Sequence, residues 1–408
     1  MKTVARVLGA ALAFLAGCGD PDEGSTRTEV RGTLVAGRDP FEDGVLATWE
    51  ISMPASEWDA LVAEADEDAP WRRCTVSWRG ETYPDCGIRA AGGRSLIPGN
   101  AKPSFRIKFD EFLPDREFHG LSSLKFDSIY HDASMMKARL QYPAYRERGV
   151  PSPRYAHARV VVNGALKGLY GVEERIKKEF LRRHFGSPVG QVYVWEGSEV
   201  MYDLLWPGPE PIENFVPVMW EAEDPDFPSG AEAVRELCDR LHNDIARLPE
   251  IFDVESFLNF IAVETLLGEG DNYVARIEGT KSANIRMYRA PATGRFLLLP
   301  WDCDQGFWRP QSGITEPFQN RVLTRRLILE NPANLARYKR ILRELIDGPC
   351  STARMHARVD EVAAQIRDAV REDPLRPYSV EEHEYRVRSI KSYIASRNAS
   401  FLAQLDAP

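Results

Sequence analysis

At 408 residues the chain has room for one large or two ordinary domains. Hydrophobic residues make up 43% and charged residues 28%, a balance that excludes wholesale disorder. A formal net charge of -9 gives no footing for a nucleic-acid partner. Past the N-terminus, no stretch approaches the roughly 18 uninterrupted apolar residues that a spanning helix needs.

The N-terminus carries a signal of its own. Lys2 and Arg6 precede the apolar run VLGAALAFLA, which ends in Leu15-Ala16-Gly17-Cys18. A basic head, a short apolar segment and small residues before a cut describe a secretory signal over residues 1–17. A cysteine directly after Leu-Ala-Gly resembles the bacterial lipobox, so Cys18 is the expected acylated first residue. Its acyl chains would hold an exported protein to the cell envelope, at the outer membrane or cell surface. Residues 18–44, acidic and rich in Gly, Thr and Asp, read as a tether. The competing reading is a short membrane helix, or a cytosolic N-terminus with a chance cysteine.

Export decides how the cysteines are read, because disulfides persist outside the cytosol. Setting Cys18 aside leaves Cys74, Cys86, Cys238, Cys303 and Cys350. Cys74 and Cys86 flank a hairpin turn near Arg79-Gly80, and a bridge between them is expected. Cys238 and Cys350 form a second candidate pair, which leaves Cys303 as a free thiol. No spacing resembles a zinc site.

In chain order, Val45 to about Phe118 is mostly strand-like, with TVSWRG, GIRAAGG and SFRIKF separated by Gly, Pro and Asn. Residues 132–148 predict a helix capped by Asp132 and bent at Pro143. HARVVVNGALKGLYGVEE predicts a hairpin turning at Asn163-Gly164. IKKEFLRRHFG continues as a helix ending at Gly186. From about 196 to 250 the chain reads as an irregular insertion, Pro-rich and acidic over 196–235 with Trp206 and Trp220, which suits a lid or partner surface or a purely structural segment. A helix follows over Val254 to Leu267, capped by Asp253 and stopped by Gly268 and Gly270. RFLLLP is a buried strand, and from Leu323 three amphipathic helices brace the core. The fold class is α+β, mostly β first and helical last.

Four segments carry groups suited to chemistry. On the strand Ser104 to Phe109, alternation buries Phe105, Ile107 and Phe109 and puts Ser104, Arg106 and Lys108 on the other face. With Lys102, Arg89 and the Gly92-Gly93 turn nearby, these cations suit a polyphosphate, or simply a solvated strand face. In LLLPWDCDQGFW, Asp302 and Asp304 follow a buried strand. If the backbone stays extended there, the two side chains share a face and suit a divalent ion such as magnesium, which takes few protein carboxylates beside phosphate oxygens. An exposed turn with incidental acids is the plainer alternative. Asp271, past two glycines, and Asn284, ahead of IRMYR, suit hydroxyl orientation and metal contact, or ordinary capping. Glu173-Glu174 either pairs a phosphate-holding lysine or starts the next helix favourably.

Taken together these segments resemble the CotH family of spore-coat-H-like atypical protein kinases. The resemblance rests on GIRAAGGRS, KPSFRIKF, GLSSLKFDSIYHDASMMKARL and GVPSPRYAHARVVVNGALKGLYGVEERIKKEFLRRHFG, then DNY, SANIRMYR and GRFLLLPWDCDQGF. They occur in family order over roughly residues 86–310. It implies a distant protein-kinase-like fold over residues 45–408 that binds ATP with Mg or Mn and phosphorylates Ser or Thr, of itself or of an exported protein. It puts Lys102, Arg106 and Lys108 against the phosphates, Asp302 on metal with Asp304 as companion, Asp271 in the catalytic loop, and Glu174 or Glu173 after GLY. Family members often read Asn-Asn-Tyr where this chain has Ala283-Asn284-Ile285, and an aliphatic residue where Cys303 stands. The GxGxxG, HRD and DFG signatures of ordinary kinases and a Walker A loop are absent. Two other readings share these residues: a kinase-like surface lipoprotein that binds without catalysis, and a nucleotide-sugar transferase using the Asp302-x-Asp304 pair. All three need the basic strand and the acids to meet in one cleft.

Overall fold

The computed structural model describes residues 39–407 except 64–67, 93–96, 98, 195–203, 205–218, 221–229, 275–283 and 317. The expected leader, Cys18, most of the tether, Gly93, Ala283, Trp206 and much of the insertion lie outside the described residues.

Seven strands close into a barrel: β1 (Ala47–Ser52), β2 (Arg72–Trp78), β3 (Glu81–Ala90), β4 (Phe105–Lys108), β5 (Ser123–Asp127), β6 (Tyr155–Val162) and β7 (Ala165–Glu174). The order around the barrel is β1-β2-β3-β4-β5-β7-β6. Each neighbouring pair is antiparallel except the seam, where β1 runs parallel to β6 from Ala47↔Ala158 to Ile51↔Val162. Two hairpins fix the register. Arg79-Gly80 and Asn163-Gly164 both place two successive residues at positive φ, the turn whose twist suits paired strands. As the alternation predicts, Phe105, Ile107 and Phe109 point inward and are fully buried. Trp49, Trp78, Phe118 and Phe126 fill the rest; the Trp49 ring lies 4.9 Å from Phe118 and 5.1 Å from Phe126. The interior is a solid aromatic plug.

Two readings of this region need correction. Helix α1 (Ala55–Ala63) interrupts the strand-like stretch, burying Trp58 and Leu61 at helical spacing. Cys74 and Cys86 do sit directly opposite each other on β2 and β3, but as buried free thiols. A bulge follows Cys74, and the Cys86 thiol is turned to donate to the Tyr83 carbonyl at 3.3 Å. Burial pushes the Cys86 thiol up to about 11, with Arg116 opposing. Cys238, Cys303 and Cys350 are likewise buried free thiols.

Beyond the barrel, helix α2 (Lys137–Glu147) starts later than expected. Asp132 still ties its first turn, accepting from the backbone N–H of Met136 and Lys137 at 2.8 Å. Pro143 lies inside the helix without ending it. Helix α3 (Lys178–Phe185) ends at Gly186 with φ 75°. A second sheet of β8 (Gln191–Val194), β9 (Met219–Trp220), β10 (Ile285–Arg289) and β11 (Phe296–Pro300) runs in the order β11-β10-β8-β9. The later part of the expected irregular insertion is regular: helix α4 (Gly230–Asn243) buries Val234, Leu237, Cys238 and Leu241, an i, i+3, i+4, i+7 stripe. Helix α5 (Val254–Leu267) begins and ends as read, with Asp253 accepting from Ser256 N–H at 2.9 Å and Gly268 at φ 65°.

Three long helices, α6 (Pro332–Asp347), α7 (Thr352–Glu372) and α8 (Val380–Asp406), finish the chain and reach back to the barrel. Just past α7, the fully buried Asp373 accepts from Lys102 Nζ at 2.6 Å and from the N–H groups of Leu169 and Leu375 at 2.9 Å. Gly168 packs on this carboxylate at φ 116°, and any Cβ there would collide with it. Replacing Asp373 by Ala would strand a buried ammonium and an amide. We expect a stability loss of about 3–5 kcal/mol, read by chemical denaturation; an unshifted midpoint would refute the role given to Asp373.

Candidate functional site

Alternation and register determine which barrel side chains face the helices. Arg89, Arg106, Lys125, Glu173 and Tyr155 form one cross-strand row over β3, β4, β5, β7 and β6. Their neighbours along each strand point into the aromatic core, so this row faces outward. At its centre the Lys125 ammonium lies 3.0 Å from Glu173 Oε2 and 3.0 Å from Asp302 Oδ1. Glu173 keeps only 2% of its side chain exposed, whereas Asp302 keeps 36%. The second Glu173 oxygen accepts from the Tyr142 hydroxyl of α2.

The acids arrive from the other half. Strand β11 runs out at Pro300, and Asp302 takes φ 55°, so the backbone turns there instead of staying extended. Asp304 N–H donates to the Asp302 carbonyl at 2.9 Å, closing the turn. Strand β10 pairs with β11 and sets Asn284 beside it, its carbonyl accepting from Trp301 N–H at 3.1 Å. Asn284 Nδ2 in turn donates to Asp271 Oδ2 at 3.2 Å. The turn after α5 is tied to the acidic loop by Gly270 N–H to the Gln305 carbonyl, 3.2 Å, and Phe307 N–H to the Leu267 carbonyl, 2.7 Å. Gly268 is required at that turn, since a Cβ would strike the Tyr393 hydroxyl and the Trp308 carbonyl. These bonds tie the segments that carry Asp271, Asn284, Asp302 and Asp304 to one another.

Helix α2 supplies the support. Lys137 Nζ donates to the Asp304 carbonyl at 2.9 Å. The Gln141 amide donates to Glu269 Oε2 and to the Cys303 carbonyl, both at 2.9 Å. Glu269 also receives the N–H groups of Gly270 and Asp271.

The cations divide differently from expectation. Arg106 lies beside Lys125 in the row, but Lys108 is one step further along and ties its ammonium to Glu111 at 2.8 Å. Lys102 is committed to Asp373 and is 3% exposed, so it serves the joint between barrel and helices, not the acids. Glu174, one residue past the outward row, turns into the barrel end and is held by Arg154 and Arg183. Of the two glutamates it is Glu173 that meets a lysine. Sequence reasoning did not single out Lys125, although a lone lysine between inward Leu124 and Phe126 is the signal that would have found it.

The electrostatics follow from crowding. Burial pushes the Asp302 carboxyl up, but the Lys125 ammonium, with Arg286 and His131, holds it below its usual range. Asp304 is driven well above its usual range by burial and by Asp302, Glu269 and Asp127, with Lys137 opposing. Lys125 stays charged, since Asp302, Glu173 and Asp127 together outweigh the cost of burial. Among the described residues no group of three His, Cys, Asp or Glu is arranged to hold a metal. The Asp302 and Asp304 carboxylates and the Asn284 amide are hard oxygen donors, the type that Mg or Mn take when water and phosphate complete the shell.

With this geometry in view, the residue pattern is matched by the family model described as CotH kinase protein, over residues 88–401. The chain belongs to that family. The chain is also 22% identical over 313 residues to inner spore coat protein H of Bacillus subtilis (strain 168), covering 73% of this chain and 81% of the relative.

Burial pushes the Glu269 carboxyl up to about 7, with Gln141, Lys137 and two backbone N–H groups opposing. Below pH 4.5 it is protonated in both folded and unfolded chains; between 4.5 and 7 only the unfolded chain releases the proton. Stability of the ligand-free protein should therefore fall as pH rises through that window, by up to about 3 kcal/mol from this group. Denaturation series across pH on wild type and Glu269→Gln check this. The variant should show the shallower slope, and equal slopes would remove Glu269 from the account.

Proposed function

We propose that this protein is an exported atypical protein kinase, anchored through Cys18, that moves the γ-phosphate of ATP onto a Ser or Thr of itself or of another exported protein. The observation that carries this reading is Lys125, held by a buried glutamate and touching the acid that opens the 302–304 turn. Phosphoryl transfer needs that set: a fixed cation for phosphate oxygens, a glutamate to fix the cation, an acid for metal, and a second acid for the acceptor hydroxyl. Family membership supports the same chemistry.

In this scheme Asp302, with Asp304 and Asn284, would hold Mg or Mn. The bound ion would neutralise phosphate charge and keep the triphosphate in line. Lys125 and Arg106 offset charge on the polyphosphate. Asp271, its carboxylate oriented by Asn284, accepts the proton of the acceptor hydroxyl. The new bond joins that oxygen to the γ-phosphorus, the bond to the bridging oxygen breaks, and ADP leaves with the electron pair. Tyr142 keeps Glu173 from swinging away from Lys125.

Mass spectrometry after incubation with ATP and Mn tests this. Wild type should gain phosphorylated Ser or Thr. Asp302→Ala, which leaves Lys125 paired with Glu173, should lose the signal by about 100-fold or more. Undiminished labelling would defeat the assignment. Asp271→Asn should slow transfer about 10²–10⁴-fold while nucleotide still shifts the melting temperature. A protein that melts identically with and without ATP plus metal would instead support a binding module without catalysis.

A further inference from the structure

The Lys125–Asp302 contact raises a question that the proposed reaction does not answer. The carboxylate assigned to metal is, without ligands, already engaged by the cation assigned to phosphate. We propose that this pair is a latch: Lys125 competes with metal for Asp302 until a polyphosphate draws the ammonium away. This rests on the kinase reading of the site and adds how its two ligands are made to depend on one another.

An ammonium has three N–H groups. Lys125 gives one to Glu173 and one to Asp302, leaving one without an acceptor among the described residues. The two carboxylates differ in freedom. Glu173 is buried on a paired strand and fixed at its other oxygen by Tyr142. Asp302 sits on a turn at positive φ, more than one third exposed, so it is the partner that can let go. Trp301 faces both cations, with Lys125 Nζ 5.1 Å and Arg286 Cζ 5.3 Å from its ring centre, so displacing the ammonium changes that ring's surroundings.

Metal alone must therefore share the Asp302 carboxylate with Lys125, or displace it, and bring its own positive charge close to a second one. A phosphate oxygen taking the ammonium removes that competitor, and metal on Asp302 in turn frees Lys125 for phosphate. Linkage makes the effect reciprocal. The cleft would then take up the two ligands together and stay shut to stray divalent ions.

The probe is Mn²⁺ alone, its free concentration read by electron paramagnetic resonance, so that no turnover is needed. Lys125→Met should bind Mn²⁺ about tenfold tighter than wild type. Glu173→Gln, which leaves the ammonium to Asp302 alone, should bind it more weakly. The double variant Lys125→Met with Glu173→Gln removes both buried charges and keeps the test open if the single lysine variant does not fold. It should behave like Lys125→Met. Arg106→Gln controls for charge: it removes a neighbouring cation that is not bonded to Asp302, and should change Mn²⁺ affinity much less. Equal gains in the Arg106 and Lys125 variants, or no gain in either, would overturn the latch. Mn²⁺ and a non-hydrolysable ATP analogue that bind wild type independently would overturn it too, while leaving the kinase reading intact. Failure of wild type to bind Mn²⁺ with or without the analogue would take down both.

Discussion

The Lys125 ammonium ties the barrel to the acidic turn that follows the second sheet. Lys125 reaches from the outer face of the barrel, and the acids it meets belong to different layers: Glu173 to the next strand, Asp302 to the turn after the second sheet. Burying three charges together is costly unless each is satisfied. Here Tyr142 caps the glutamate and solvent reaches the aspartate, so the arrangement is stable without being sealed. Most of the local architecture follows. Strand register puts Lys125 beside Glu173, the β10–β11 hairpin sets the height of Asp302, and α2 fills the space behind both.

Helix α2 touches three parts of the site. Lys137 meets the acidic loop, Gln141 meets both that loop and Glu269, and Tyr142 meets the barrel glutamate. Its first turn is held by Asp132, which itself accepts four bonds, two from Ser134 and one each from Met136 and Lys137. A side chain in the HDASMMK stretch thus sets where three supporting groups stand, although it lies apart from the reacting positions.

Local signals in the sequence were reliable where one short segment decides the outcome. Asn163-Gly164, Gly186, Asp253 and Gly268 act through their own turns and caps, and all four stand where their chemistry predicts. The inward set Phe105, Ile107 and Phe109 follows from alternation alone. The places of Asp271, Asn284, Asp302 and Asp304 at the ends of α5, β10 and β11 were also readable, since each follows or precedes a recognisable element. What failed depended on partners that strand alternation does not show. Lys102 and Lys108 share a strand neighbourhood with Arg106, yet their partners, Asp373 and Glu111, decide their roles, and Asp373 lies 271 positions away. Lys125 gained importance only because β5 pairs between β4 and β7, a register that no single stretch encodes. Glu173 and Glu174 are adjacent, and only the face of β7 separates a cleft acid from one buried at the barrel end. The Cys74 and Cys86 positions were correctly brought together, but thiol orientation next to a bulge depends on packing that spacing does not describe.

The helices at the end of the chain grip the barrel at several separated points. Besides Lys102 with Asp373, the Arg159 guanidinium meets Glu372 at 2.9 Å, the Tyr378 hydroxyl donates to the Tyr130 carbonyl at 2.6 Å, and His383 Nδ1 donates to the Ala133 carbonyl at 3.1 Å. Tyr130 and Ala133 flank the approach to α2, so the clasp fastens the same segment that carries Lys137, Gln141 and Tyr142. A fragment cut after the acidic turn would keep each reactive side chain yet lose the splint that aligns them. The unit that can be excised, grafted or evolved intact is therefore the barrel together with its far C-terminal brace.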